Sequence, residues 1–106
     1  MSSPSPFSTG NSQNSKILRI HVWISGQVQG VGYRLSTLSE ARQRDLQGWV
    51  KNLPDGRVEA VFEGTPKNIE DIIKWCRHGP PTAIPETVEI EFEEVEGLQG
   101  FEIVGR

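Results

Sequence analysis

The whole chain contains one cysteine, Cys76. A lone thiol excludes an intramolecular disulfide and any cysteine-built metal site, and it suits a reducing, cytoplasmic setting. Long apolar runs are also missing; none approaches the roughly 18 residues that a membrane span requires. Positive charge is in short supply, with 11 Lys and Arg against 14 Asp and Glu, for a net −3. Binding to a phosphate backbone usually draws on a basic stripe, so nucleic acid is not an expected partner. A small anion remains open, because it needs only a local positive pocket. Residues 1–15 carry no charged side chain and almost nothing apolar. Such a segment buries too little surface to offset its ordering entropy. We therefore expect a disordered tail over 1–16 and one domain over 17–106. The tail has neither the charged-then-apolar plan of a secretory signal nor the arginines and amphipathic face of a transit peptide.

Beyond the tail, Leu18, Ile20, Val22 and Ile24 alternate with Arg19, His21, Trp23 and Ser25. That period of two predicts a half-buried strand over 18–25. His21 falls on its polar face. A catalytic histidine is conceivable there, but a plain surface position is the expected one. Residues 34–44 read as a first helix with a thin stripe of Leu35, Leu38 and Ala41. Residues 46–52 and 58–62 read as two strands joined by the turn Leu53-Pro54-Asp55-Gly56. Thr65 then caps a second helix whose first residue is Pro66. Its core face is Ile69, Ile72, Ile73 and Cys76, which makes Cys76 a buried small hydrophobe. Gly79-Pro80-Pro81 stops that helix. A strand over 86–94 points Val88, Ile90 and Phe92 inward and Glu89, Glu91 and Glu93 outward. Those carboxylates lack His or Asn partners along the strand, so we read them as a solvated face and not as a metal site. A short last strand covers 101–104.

The stretch between the first strand and the first helix is Gly26-Gln27-Val28-Gln29-Gly30-Val31-Gly32-Tyr33-Arg34. A strand that ends in glycines and restarts as a helix leaves backbone N–H groups unpaired, and such a nest binds anions. An arginine at the helix start adds a planar fork suited to phosphate. The stretch fits neither the P-loop pattern nor the dinucleotide fingerprint. On the loop alone, an anion site and a mere glycine-rich turn both stay open.

The element order is β-α-β-β-α-β plus a short final strand. That is the ferredoxin-like α+β sandwich, with two helices on one face of a mostly antiparallel sheet. The expected order of the first four strands is 4-1-3-2. We expect strands one and three to run parallel, with strand two against three and Asn52 ending near the glycine loop. Asn52 offers both an amide donor and a carbonyl acceptor, so it could orient a water against a phosphate held by the loop and Arg34. No nucleophile-base set or carboxylate dyad is evident. Catalysis would then rest on positioning and charge. The substrate would need a leaving group that requires no proton, and an acyl phosphate has one. A non-catalytic anion-binding module is the alternative. An RNA-binding domain with the same element order is disfavoured by the charge and by the lack of its aromatic signature.

At this point the residues resemble the acylphosphatase family. The stretch from Gly26 to Arg34 is similar to that family's first signature. Gly48-Trp49-Val50-Lys51-Asn52, followed by Gly56, Val58 and Gly64, is similar to its second. The resemblance implies a ferredoxin-like fold and metal-independent hydrolysis of small acyl phosphates to carboxylate and inorganic phosphate, without a cofactor. It implies that Arg34 binds the phosphate and that Asn52 orients the nucleophilic water. It also implies that the amides of Gln29, Gly30, Val31, Gly32 and Tyr33 cradle the phosphate. We expect a cytoplasmic monomer. Two departures stand out. Arg44-Asp45 replaces the Leu-Gly that often closes the family's first helix, and Leu35-Ser36 replaces a pair that commonly includes an aromatic.

Overall fold

The computed structural model describes residues 16–105; residues 1–15, and with them nearly all of the expected tail, lie outside the described residues. The elements are β1 (Leu18–Gln27), α1 (Tyr33–Gln43), β2 (Gln47–Asn52), β3 (Val58–Gly64), α2 (Pro66–His78), β4 (Ile84–Glu93) and β5 (Phe101–Ile103). One sheet runs in the order β4-β1-β3-β2-β5, so the expected 4-1-3-2 holds. The short last strand lies beside β2, in parallel; the other pairings are antiparallel.

One expectation about strand direction is overturned. β1 and β3 run antiparallel, with Ile20 opposite Phe62 and Ile24 opposite Val58. Because β2 is also antiparallel to β3, β1 and β2 point the same way. The reason is the connection: a helical crossover returns the chain to begin a strand in the original direction. The crossover therefore links β1 with β2, and a tight turn reverses the chain into β3. Asn52 still finishes at the loop end of the sheet.

Alternation sorts the sheet into two faces. Ile20, Val22, Ile24, Val50, Val58, Ala60, Phe62 and Phe101 are buried, packed with Ile69, Ile72, Ile73 and Cys76 of α2. The α2 face matches the periodicity read from sequence. Thr65 caps it by accepting from the Asn68 N–H at 3.3 Å. Full burial of each such aliphatic side chain stabilises by about 1.5–3 kcal/mol.

The first helix differs from expectation. Its buried positions are Tyr33, Thr37 and Ala41, and Leu35 is 67% exposed. The helix starts one residue early, at Tyr33, whose ring is seated in the core and turns the i, i+4, i+8 stripe inward. Thr37 tolerates burial because its hydroxyl donates to the Tyr33 carbonyl at 2.7 Å. Phe92, expected inward, is 47% exposed, because β4 is an edge strand with a neighbour on one side only.

The open face of the sheet carries an ionic cluster, which corrects the solvated reading for Glu93, while Glu89 and Glu91 are exposed as expected. Glu93 accepts from Arg19 Nε at 2.9 Å and lies 2.8 Å from His21 Nδ1. The other ring nitrogen of His21 lies 2.6 Å from Glu59, and its ring stacks on Trp23 at 4.1 Å. His21 is thus half-buried in a network and not a plain surface residue. Arg19 also reaches Glu63 at 3.1 Å. Burial alone would raise the Glu63 carboxyl, but the amides of Glu96, Leu98 and Gly97 together with Arg19 hold it below the ordinary carboxylate range. Hydrogen bonds from Arg19 and then His21 do the same for Glu93.

Asp45 follows the C-cap of α1 at φ 54°, the one positive-φ non-glycine residue among those described. A left-handed aspartate is strained by roughly 1–2 kcal/mol, and its charge opposes the negative helix terminus. Glycine loses more chain entropy but carries no such strain. Asp45→Gly is therefore expected to stabilise the fold by ~0.5–1 kcal/mol, read as a higher urea midpoint at unchanged slope.

Candidate active site

The site is built where β1 gives way to α1. β1 continues past its predicted end to Gln27, with a bulge between Ser25 and Gly26. No side chain fits at Gly26. A Cβ there would lie 2.4 Å from the Ile84 carbonyl oxygen, so β4 can cross against bare backbone. The loop then reaches Gly30 and Gly32, at φ 75° and 81°, with open space where their Cβ atoms would be. Here conformation and not crowding demands glycine.

Gly32 is also the N-cap of α1, and no side chain caps the helix. Most helices satisfy their first amides with a Ser, Thr, Asp or Asn cap. In this loop, Val28 N–H bonds the Gly26 carbonyl and Ser36 N–H bonds the Gly32 carbonyl. The amides from Gln29 to Leu35 donate to no other group among the described residues. They are left for a ligand, at the positive end of the helix dipole.

A cavity of about 350 Å³ opens on this terminus, lined by Val28, Gly30, Gly32, Tyr33, Arg34, Leu35, Asn52 and Ile103. Arg34 and Asn52, far apart in sequence, therefore share one cavity. Parity explains the Asn52 side of it. In β2, Gly48 and Val50 face the helices, so Asn52, two residues on, projects to that layer at the strand's end. Arg34 is the only lining residue with a charge at neutral pH. Among the described residues it makes no ion pair, so its guanidinium is available to an anion. Asn52 Oδ1 is buried and has no hydrogen-bond partner. Orphaned buried acceptors are rare and cost about 1–3 kcal/mol; a bound water or ligand donor would remove that cost.

Two predicted cradle residues lie outside the lining. The Gln29 side chain turns away to the β2–β3 turn, and the Val31 carbonyl accepts from Thr82 Oγ1 at 2.6 Å. Val28, Leu35 and Ile103 join the lining without having been among the expected site residues. Leu35 falls on the apolar stripe that the sequence pattern turns toward the core, and nothing in the sequence fixes β5 beside β2.

Tyr33 fastens the helix start to α2. Its hydroxyl donates to the Cys76 carbonyl at 2.8 Å. The residue four positions on from Cys76 is Pro80, which has no N–H, so this carbonyl has no helical partner. Burial, then the neighbouring Cys76, drives the Tyr33 hydroxyl far above its ordinary range. Burial also pushes the Cys76 thiol up to about 12, so it stays a neutral packing group. Among the described residues no cluster of His, Cys, Asp and Glu could hold a metal ion.

The acylphosphatase family model matches residues 20–103. An acylphosphatase of Trichormus variabilis is 55% identical over 89 residues, covering 84% of this chain and 88% of the relative. Among solved structures, an acylphosphatase from Coxiella burnetii superposes with a TM-score of 0.81 at 40% identity, over 83% of this chain and 93% of its own. The Bacillus subtilis acylphosphatase gives 0.81 at 35% identity, over 83% of this chain and 99% of its own.

Tyr33→Phe removes the one hydrogen bond that the Cys76 carbonyl receives from α1 and leaves that oxygen unpaired. We expect a loss of about 1–2 kcal/mol in stability, measured by urea denaturation with α-helical content unchanged by circular dichroism.

Proposed function

The chain belongs to the acylphosphatase family, and on that premise we propose that it hydrolyses acyl phosphates, mixed carboxylic–phosphoric anhydrides, at the cavity under the α1 N-terminus. One observation carries the assignment of roles: a free guanidinium, Arg34, shares a cavity with an orphaned buried acceptor, Asn52 Oδ1.

In this reading the phosphoryl oxygens lie against the loop amides of Gly30 to Tyr33, with Gln29 at the edge of the cradle. Arg34 spans two of the oxygens with its planar fork. Asn52 Oδ1 accepts a hydrogen bond from a water and aims that water's lone pair at phosphorus. A bond forms from the water oxygen to phosphorus as the bond from phosphorus to the acyl oxygen breaks. The electron pair leaves with the carboxylate, and the water proton passes to the phosphate oxygens. Charge spread over the transferring group meets Arg34 and the fixed amide dipoles, which need no reorganisation during the reaction. The acyl group would lie along Val28, Leu35 and Ile103, the apolar part of the lining. No metal or cofactor is assigned a role, and inorganic phosphate is the expected product inhibitor.

The same proposal takes residues 17–106 as the working domain, active as a cytoplasmic monomer. A single buried thiol supports the reducing compartment, and no helix among the described residues is long and apolar enough to cross a membrane.

The test is turnover of benzoyl phosphate in the presence of a metal chelator. Wild type is expected to turn over, and a folded protein without turnover would favour an anion-binding module. Arg34→Ala should lose at least ~2–4 kcal/mol of transition-state stabilisation. Arg34→Lys should stay poor, since an ammonium cannot reproduce the planar fork. For Asn52→Ala, kcat should collapse while inorganic phosphate still inhibits. Lost phosphate binding with kcat retained would overturn the assigned roles.

A further inference from the structure

We infer that the Gln29 side chain is a positioning residue that sets the distance between the phosphate loop and Asn52, an inference that rests on the roles proposed above. Val28 and Gly30 on either side of it line the cavity, but Gln29 does not. Its amide Nε2 instead donates to the Leu53 carbonyl at 2.8 Å and to the Arg57 carbonyl at 2.9 Å. Both hydrogens of the NH2 group are therefore committed.

These carbonyls sit at the base of the β2–β3 hairpin, Leu53 one residue beyond Asn52 and Arg57 one residue before β3. Each already has a backbone donor: Gly56 N–H reaches Leu53 at 3.1 Å, and Leu53 N–H reaches Arg57 at 2.8 Å. The hairpin closes without Gln29. What Gln29 adds is a tie, and among the described residues no other hydrogen bond joins segment 28–32 to the hairpin. The opposite side of the loop is tied separately, by Thr82 to Val31.

In-line attack needs water oxygen and phosphorus at roughly 3–3.5 Å. The loop holds one of these and the end of β2 holds the other, on segments that meet through Gln29. Loosening the tie leaves the phosphate seat and Arg34 in place but lets the water holder drift. A displacement of about 1 Å can cost 10²-fold in rate.

The test measures kcat for benzoyl phosphate and the inhibition constant for inorganic phosphate. Gln29→Met keeps side-chain length without a donor, and Gln29→Glu keeps shape but offers an ionised acceptor to two carbonyls. Folding is checked by circular dichroism, so either variant suffices. Each is expected to lower kcat by about 30- to 100-fold, with the phosphate inhibition constant moving less than about threefold. Combined with Asn52→Ala, Gln29→Met should lower kcat by less than a further threefold or so, because the group it positions is gone. A full multiplicative loss in the Asn52→Ala background would overturn the inference, as would phosphate binding that weakens in step with kcat, or a kcat that does not fall. If Asn52→Ala itself keeps kcat, the reading of the site fails before Gln29 is considered.

Discussion

The site depends on β1 and β2 ending at the same edge of the sheet. Both run against β3, so the loop after β1 and the side chain closing β2 are brought together by hydrogen-bonded register and not by flexible contact. A slip of one residue in β2 would send Asn52 to the open face. The register is pinned by burial: Val50 and Ala60 pair across β2 and β3 and both are fully buried. Gly48 lets the strands approach where a Cβ would lie 1.9 Å from the Val61 carbonyl oxygen. Core packing thereby fixes the face and the strand end at which Asn52 stands, and leaves its distance from the loop to the tie made by Gln29.

The two faces of the sheet divide the labour. The helix-covered face supplies the apolar burial and carries the cavity at one end. The open face could not be left bare, since β1 and β3 are central strands and Trp23 of β1 and Trp49 of β2 lie there against His21. It is closed by charge, through Arg19, His21, Glu59, Glu63 and Glu93. Glu63 also gathers the backbone amides of Glu96, Gly97 and Leu98. It thus anchors the segment that leads from the edge strand β4 across to β5 on the far side. β5 in turn places Ile103 against the cavity. Buried ion pairs are usually weak contributors to stability; here the pairing fixes a long connection whose own sequence is polar and glycine-rich.

Much of this was legible in the sequence. The strand alternations and the strongly periodic α2 each carry a single strong signal, and both agree with the structure. The paired motifs around Arg34 and Asn52 predicted one site, and both residues line one cavity. The misreadings share a cause. The apolar pattern of α1 runs through Leu35, but the helix is oriented by Tyr33, a residue that the sequence pattern places in the loop. Neighbours along the strand say nothing of Glu93, whose partners Arg19 and His21 come from β1 across the sheet. The place of β5 is likewise out of reach of local pattern, since it is set by which strands pair, whereas the direction of β3 follows from the crossover and the turn. Gln29 shows the same limit. Its position in the loop was evident, but the turn it binds comes closer only when the hairpin folds beside it.

In the function proposed, the cavity also selects by what its lining lacks. Besides Arg34, its one ionisable lining side chain is Tyr33. That hydroxyl is committed to the Cys76 carbonyl, and burial holds its proton tightly. No lining residue can therefore hand a proton to a departing oxygen. An alkoxide leaving unprotonated from an ordinary phosphate ester is a poor leaving group, whereas the carboxylate of an acyl phosphate leaves as a stable anion. A site of guanidinium, amides and one carboxamide can thus assist the second reaction and do little for the first. Specificity for the anhydride then follows from the missing acid as much as from any contact to the acyl group. The apolar wall of Val28, Leu35 and Ile103 is free to vary without altering which bond is broken.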